Sequence, residues 1–314
     1  MSKIRCAVIG VGYLGRFHAQ KYANSLEAEL VGVFDRNTSH AQSVAEELQV
    51  PIFDSLEALV GQVDAVSIAA TTKAHYEIAK FCLSHGIHVL IEKPMTDTIS
   101  QAKELIEIAK SNNLIIQVGH LERFNPAFQN FLNHCQNPRL IEAQRLATFK
   151  KRGSDVDVIL DLMIHDLDLV LAIVKSDVIN VHAQGISLMT KEIDIANVSL
   201  SFANGCVVHL TASRVYSGLE RLMRVYQDDG YYALNFQQQK LTRFMVNPDS
   251  PNGIFLESTD IECQSQDALN AQISEFIQAV KTNLPVQVDG QAAFRVLELA
   301  TQIQHIISKE RSLG

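Results

Sequence analysis

The first two dozen residues limit what this chain can fold into. An apolar run of strand length, Ile4 to Ile9, passes directly into Gly10-Val11-Gly12-Tyr13-Leu14-Gly15, and a helical pattern follows from Arg16 to Asn24. Glycines at these places suit one geometry. The first permits a tight turn, the second lets the backbone approach a ligand, and the third lets the helix lie against the strand. The start of such a helix offers main-chain N–H groups and a positive dipole end to an anion. Asp35 lies 20 residues beyond Gly15, at the end of the next strand-like run. There a carboxylate can accept both hydroxyls of an adenosine ribose. The segment therefore points to a nicotinamide dinucleotide held by Gly10, Gly12, Tyr13, Leu14, Gly15 and Asp35. Arg36 bears on the choice of cofactor, since a guanidinium there can hold the 2′-phosphate of NADP. Asp35 repels that phosphate, so NAD is expected and NADP stays open. The competing reading makes these ordinary turn glycines and Asp35 a helix cap.

Strand and helix patterns alternate through the first 120 residues. Glu29 to Phe34, Ala65 to Ala69, His88 to Ile91 and Leu114 to Val118 read as strands. Thr38 to Leu48, Ala74 to Ser84 and Ile99 to Lys110 read as helices. This alternation predicts a parallel, doubly wound α/β sheet, a Rossmann domain over residues 1–122. The pattern changes after Phe124. Leu140 to Lys150 reads as a strand and Val158 to Val174 as an apolar helix. Five strand-like runs follow between Val178 and Phe236, with Asn204-Gly205 and Asp228-Asp229-Gly230 as turns, before helices at Ala268 to Lys281 and Gln291 to Lys309. Residues 123–314 are expected to form an α+β domain with a mostly antiparallel sheet.

The formal net charge of −8 argues against nucleic acid or anionic membranes as partners, because no basic surplus offsets phosphate repulsion. No apolar run reaches membrane-span length and no signal peptide is apparent. The five cysteines are scattered without a Cys-x-x-Cys pair. They read as reduced core residues of a cytoplasmic protein rather than as disulfides or a zinc site.

Two further segments carry chemistry. Glu92-Lys93-Pro94 follows a strand, at the sheet edge where doubly wound folds bind ligands. Lys93 can there bond a substrate hydroxyl or the nicotinamide ribose, and Pro94 can hold it rigidly through a cis bond; a solvated lysine before a loop proline is the plainer reading. Asp161, His165 and Asp168 share one face of an ideal helix. A polar stripe in so apolar a segment is costly unless paired or used. Histidine exchanges a proton near neutrality and an aspartate can orient it; a buried structural His–Asp pair is the alternative.

Together these segments resemble the glucose–fructose oxidoreductase/inositol dehydrogenase/MocA (Gfo/Idh/MocA) family. The likeness rests on the Gly10–Gly15 loop, Ala70-Thr71-Thr72 with His75, Glu92-Lys93-Pro94, Val118-Gly119-His120 with Arg123-Phe124-Asn125-Pro126, and Asp161 with His165. It implies hydride transfer at a carbon bearing a hydroxyl, usually on a sugar, cyclitol or sugar nucleotide. By this resemblance Lys93, Asp161 and His165 are catalytic, and either Lys93 or His165 is the base. Ala70, Thr71, His75, Glu92 and Lys93 join the cofactor site. His120, Arg123, Asn125, Arg152, Lys93 and His165 would meet substrate, with Arg123 or Arg152 facing a phosphate. The family also implies that the α+β domain of residues 123–314, with an open sheet, serves substrate binding and oligomerisation, and it implies a homodimer or homotetramer. A narrower resemblance, over residues 118–126 and 155–166, is to family members that oxidise UDP-N-acetylglucosamine at C3 for lipid A 3-amino-sugar synthesis. Alternatives are a dehydrogenase of free sugars or inositols, a non-catalytic cofactor-binding sensor, and a glycosidase using NAD transiently.

Overall fold

The structure, a computed structural model, describes residues 2–149, 156–249 and 256–311. β1 (Ile4–Ile9) runs through the glycine loop into α1 (Tyr13–Ala23). The helix starts earlier than its apolar pattern suggests, so Gly15 lies within the first turn. There follow β2 (Ala28–Phe34), α2 (Thr38–Leu48), β3 (Ala65–Ile68), α3 (Thr72–Ser84), β4 (His88–Ile91), α4 (Ile99–Ser111) and β5 (Ile116–Val118). The strands form one parallel sheet in the order β2-β1-β3-β4-β5. Every residue of β3 and β5 is buried, as expected of strands covered on both faces. Asn37 caps α2, and Thr98 with Gln101 forms a capping box on α4. Strand order reverses between β1 and β3. The ends of these strands make the crevice where open α/β sheets take ligands.

The second part begins with α5 (Pro126–Leu132) and β6 (Leu140–Leu146). A π-helical turn (Ile159–Met163) runs into α6 (Ile164–Val174). Then come β7 (Val178–Ile186), β8 (Ile195–Phe202), β9 (Val207–Ser213), β10 (Glu220–Gln227), β11 (Gly230–Asn235), β12 (Lys240–Val246) and β13 (Leu256–Ile261). They form one eight-stranded sheet in the order β13-β12-β11-β10-β6-β9-β8-β7. Only β6 and β9 pair in parallel; all other neighbours are antiparallel. Along β8 and β9 one face is buried, while Asn197 and His209 on the other are exposed. The expected combination of a Rossmann sheet and a mostly antiparallel α+β sheet is thus observed.

The sequence pattern did not indicate α5, β12 or β13. α5 is only seven residues long. β13 is an edge strand whose residues are almost all exposed, so no apolar alternation marks it. The long helix expected from Val158 is instead a π turn followed by a regular helix.

The chain divides into two compact units, Met1–Leu121 with Asp267–Leu297, and Glu122–Gln266 with Glu298–Gly314. Residue 122, the expected boundary, is where the chain first leaves the first unit. A single cut there does not describe the molecule, because α7 (Ala268–Thr282) returns to that unit. Its Ile273, Phe276 and Ile277 share a core with Cys6, Val8, Tyr22 and Leu30. The spacing of α7 reveals that it buries a face but not against which sheet. The division falls again inside α8 (Gly290–Arg311).

Candidate functional site

In the first unit, the glycine loop is shaped by close main-chain passage. Gly10 has φ +83°, and a Cβ there would lie 2.6 Å from the Ala70 amide nitrogen. A Cβ on Gly15 would run into the Gly10 carbonyl oxygen, whereas the space beside Gly12 is open. No side chain caps α1 and no acid stands in its first turn. Its positive end is therefore available to a diphosphate, and these residues fit a dinucleotide. Leu14 is half-buried; Tyr13 is exposed and meets Phe17 edge to face.

Asp35 accepts the Val11 N–H through Oδ2 at 2.8 Å and the Asn37 N–H through Oδ1 at 2.8 Å. The cap of α2 is Asn37, whose side chain accepts from Ser39. Asp35 is thus not the helix cap; it ties the glycine loop to the end of β2. Arg36 is exposed beside it.

Ala70 and Thr71 follow β3, with Thr71 at the N-cap position of α3. His75 on α3 is buried. Its Nδ1 is 2.9 Å from the Pro94 carbonyl oxygen and its Nε2 is 3.1 Å from that of Ala70. Burial lowers its proton affinity, although both carbonyls and Glu92 oppose this. His75 therefore braces the loops after β3 and β4. The Lys93–Pro94 peptide is cis, as anticipated, and Lys93 is half-buried. The Glu92 carboxylate lies against Gly119, where a Cβ would be 2.6 Å from Oε1. His120 is buried and its amide donates to the Val118 carbonyl at 2.8 Å.

In the second unit, Asp161 sits in the π turn and His165 in the first turn of α6. Both are partly exposed, while Met163, Ile164 and residues 166–170 are buried. π turns recur at functional sites, and Asp161 lies within this one. Asp168 does not join the same stripe. It is fully buried and grips Arg123, with Nε to Oδ2 at 2.7 Å and Nη2 to Oδ1 at 2.9 Å. Asp166 is likewise buried and holds Arg145 at 2.8 Å. Arg145 also donates to Glu122 at 2.9 Å and lies over the Phe236 ring. Burial works against the Arg145 charge, but these two carboxylates more than offset it and raise its pKa.

Two residues expected to contact substrate are engaged within the fold. Arg123 commits one edge of its guanidinium, Nε and Nη2, to Asp168, because a buried carboxylate needs a paired cation. Asn125 caps α5: its Oδ1 accepts from Ala127, and its Nδ2 donates to Glu122 and to the Phe236 carbonyl. Arg152 lies outside the described residues. The Arg145–Asp166–Glu122 cluster escaped sequence reasoning because Arg145 lies in no motif and its partners are 21 and 23 residues away. His18, buried on α1 and 3.2 Å from Glu92, was also missed. Its one sequence cue is its spacing with Tyr22 on the apolar side of that helix. Among the described residues, no group of three or more His, Cys, Asp or Glu is placed to hold a metal ion.

Parallel sheet, glycine loop and the acid at the end of β2 define a dinucleotide-binding fold with an added α+β unit. Residues 4–120 match the oxidoreductase family with an NAD-binding Rossmann fold, and residues 129–233 match the GFO/IDH/MocA C-terminal domain. The chain belongs to the Gfo/Idh/MocA family, and it is an NAD-binding oxidoreductase. It is 41% identical to UDP-N-acetylglucosamine 3-dehydrogenase of Acidithiobacillus ferrooxidans over 97% of each chain. The solved structure of that enzyme, GnnA, superposes with a TM-score of 0.92 at 40% identity, covering 98% of each chain. Myo-inositol 2-dehydrogenase of Thermotoga maritima is 26% identical over 99% of this chain and 98% of its own. An Agrobacterium radiobacter oxidoreductase solved with NAD+, L-tartaric acid and magnesium shares the fold, with a TM-score of 0.86 at 18% identity and coverage of 98% and 97%. Among the described residues, no helix is long and apolar enough to cross a membrane.

Proposed function

We propose that this enzyme oxidises the C3 hydroxyl of UDP-N-acetylglucosamine, with NAD as the expected acceptor. The observation that carries this reading is the 41% identity to a UDP-N-acetylglucosamine 3-dehydrogenase across both units, not over the Rossmann part alone. A substrate reading needs that breadth, because a shared dinucleotide fold does not fix a substrate.

Oxidation of a secondary alcohol removes a proton from oxygen and a hydride from carbon. The nicotinamide supplies the hydride acceptor. Gly10, Gly12 and the start of α1 are proposed to hold the diphosphate, and Asp35 the adenosine ribose. His165 is proposed to take the hydroxyl proton, since histidine is the side chain most often used as a general base. Asp161 orients it, and Lys93 donates a hydrogen bond to the substrate oxygen. The carbonyl product suits a following transamination, which would yield the 3-amino sugar nucleotide. A cytoplasmic setting fits five free thiols. A homodimer or homotetramer fits the exposed Ile179, Ile186 and Leu188 on and beside β7.

The test is reduction of NAD, and separately of NADP, with UDP-N-acetylglucosamine, UDP-glucose, free N-acetylglucosamine and myo-inositol. The proposal expects turnover with UDP-N-acetylglucosamine well above the others, and a 3-keto product by NMR. Turnover confined to myo-inositol or the free sugar would overturn the substrate. No net reduced cofactor with any of them would overturn the dehydrogenase mechanism for this substrate class.

A further inference from the structure

Beneath the Glu92-Lys93-Pro94 turn runs a buried polar chain. The Tyr22 hydroxyl is 2.8 Å from Ser67 Oγ, Ser67 Oγ is 3.1 Å from His18 Nδ1, and His18 Nε2 is 3.2 Å from Glu92 Oε1. Tyr22, Ser67 and His18 are all fully buried. The chain has a direction. An ionised carboxylate only accepts, so His18 Nε2 carries the proton it shares with Glu92. In the neutral ring Nδ1 then accepts, which requires the Ser67 O–H to donate to it. Ser67 Oγ in turn accepts from Tyr22, whose phenol burial holds in its protonated form. With the ring neutral, each donor along the chain is used once.

The turn that follows is held at several points. The Glu92 amide donates to the Ile68 carbonyl at 2.9 Å. The Glu92 carboxylate is confined between His18 and Gly119, and the Pro94 carbonyl meets His75. Lys93 lies between these fixed residues. We infer that His18 is a positioning residue: through Glu92 it fixes the turn from which Lys93 acts. This rests on the role given to Lys93 above. A phenylalanine would fill the His18 volume but leave Glu92 without its inner donor and Ser67 without its acceptor, so the turn would lose one restraint.

The test uses the full-length enzyme with the sugar nucleotide that turns over fastest. His18→Phe is expected to lower kcat roughly 10–100-fold, the scale of a small misplacement of a reacting group, with substrate KM and NADH Kd within about twofold. His18→Gln, which can still donate to Glu92, should recover most of the rate. Ser67→Ala should cost less than His18→Phe, and Tyr22→Phe least, following distance along the chain. A folded His18→Phe with normal kcat overturns the inference, as does a loss seen only in NADH binding. If His18→Phe does not fold, Ser67→Ala and His18→Gln decide: normal kcat in Ser67→Ala, or a His18→Gln slower than Ser67→Ala, overturns it. Lys93→Ala, measured alongside, separates the two levels. Normal turnover there removes Lys93 from the mechanism and this inference with it. A crippled Lys93→Ala beside a normal His18→Phe overturns the positioning role alone.

Discussion

In the first unit the candidate site is made largely of main chain, whereas in the second it stands on buried ion pairs. Gly10, Gly15 and the uncapped start of α1 form the proposed phosphate seat without a charged side chain. Asp35 contributes by gripping the loop backbone. In the second unit, α6 presents His165 on a partly open face while Asp166 and Asp168, on either side of Leu167, anchor it to Arg145 and Arg123. A main-chain seat tolerates changes around its rim. A helix tethered by desolvated charges does not, since losing one partner strands the other. Variants in the second unit should therefore separate sharply into those that stop chemistry and those that stop folding.

His165→Asn should show the largest effect. Asn keeps much of the size and some hydrogen bonding but cannot take a proton. Loss of a general base typically costs about 10²–10⁴-fold in rate, or roughly 3–5 kcal/mol of barrier. The thermal midpoint and NADH affinity should stay near wild type, because the side chain is only partly buried. Near-normal turnover would reduce His165 to a positioning group and leave Lys93 as the base. Unfolding would return it to the buried structural pair that the sequence also allowed.

Arg123→Ala should act on stability first. It strands the Asp168 carboxylate, whose side chain is 1% exposed. Breaking a buried pair in this way costs about 3–5 kcal/mol. Denaturant unfolding measures this directly. If the midpoint holds and substrate KM climbs instead, Arg123 is the phosphate contact that the sequence suggested, and the contrast between the units fails at its centre.

How far the sequence could be read follows the same divide. The glycine loop, Asp35 and the strand–helix alternation are local, so a motif of six residues and one acid specified both the geometry and the ligand class. The Arg123–Asp168 pair spans 45 residues and Arg145–Asp166 spans 21. No periodicity encodes such a pairing. Asp168 therefore reads as part of one stripe with Asp161 and His165, though the fold buries it. α7 was misassigned to the second domain for a similar reason: amphipathic spacing gives a buried face without an address. The π turn at Ile159–Met163 was invisible, because its apolar run suits a regular helix equally well.

The first unit should respond more gently. Asp35→Ser removes a carboxylate proposed to hold the ribose hydroxyls and known to hold the Val11 amide. Hydrogen bonds to a charged group are worth about 1.5–3 kcal/mol, so NAD binding should weaken by about ten- to a hundredfold. NADP should suffer less, because the repulsion of its 2′-phosphate is relieved and Arg36 is retained. Titration of both cofactors checks this. Equal losses would mean that Asp35 acts on the loop alone and does not discriminate at the ribose.

Asn125→Ala should give the smallest effect and the finest distinction. As a substrate ligand, Asn125 would control KM; as the cap of α5, it would control stability. Every polar atom of its side chain is already used. Oδ1 accepts from Ala127, and Nδ2 donates to Glu122 at 3.1 Å and to the Phe236 carbonyl at 2.9 Å. Loss of a helix cap typically costs about 1 kcal/mol. The unpaired Phe236 carbonyl should push this toward the upper end of the range of about 0.5–2 kcal/mol for such caps. Asn125→Asp supplies the control. Its carboxylate can still accept from Ala127, but it cannot donate to Phe236 and would face Glu122 as a like charge. It should therefore be less stable than Asn125→Ala, although it is the better capping residue in isolation. Sugar-nucleotide KM should stay level in both variants well below their melting points. A tenfold rise in KM with an unchanged midpoint would restore Asn125 to the substrate site and show that the second unit, like the first, binds through residues legible in a short motif.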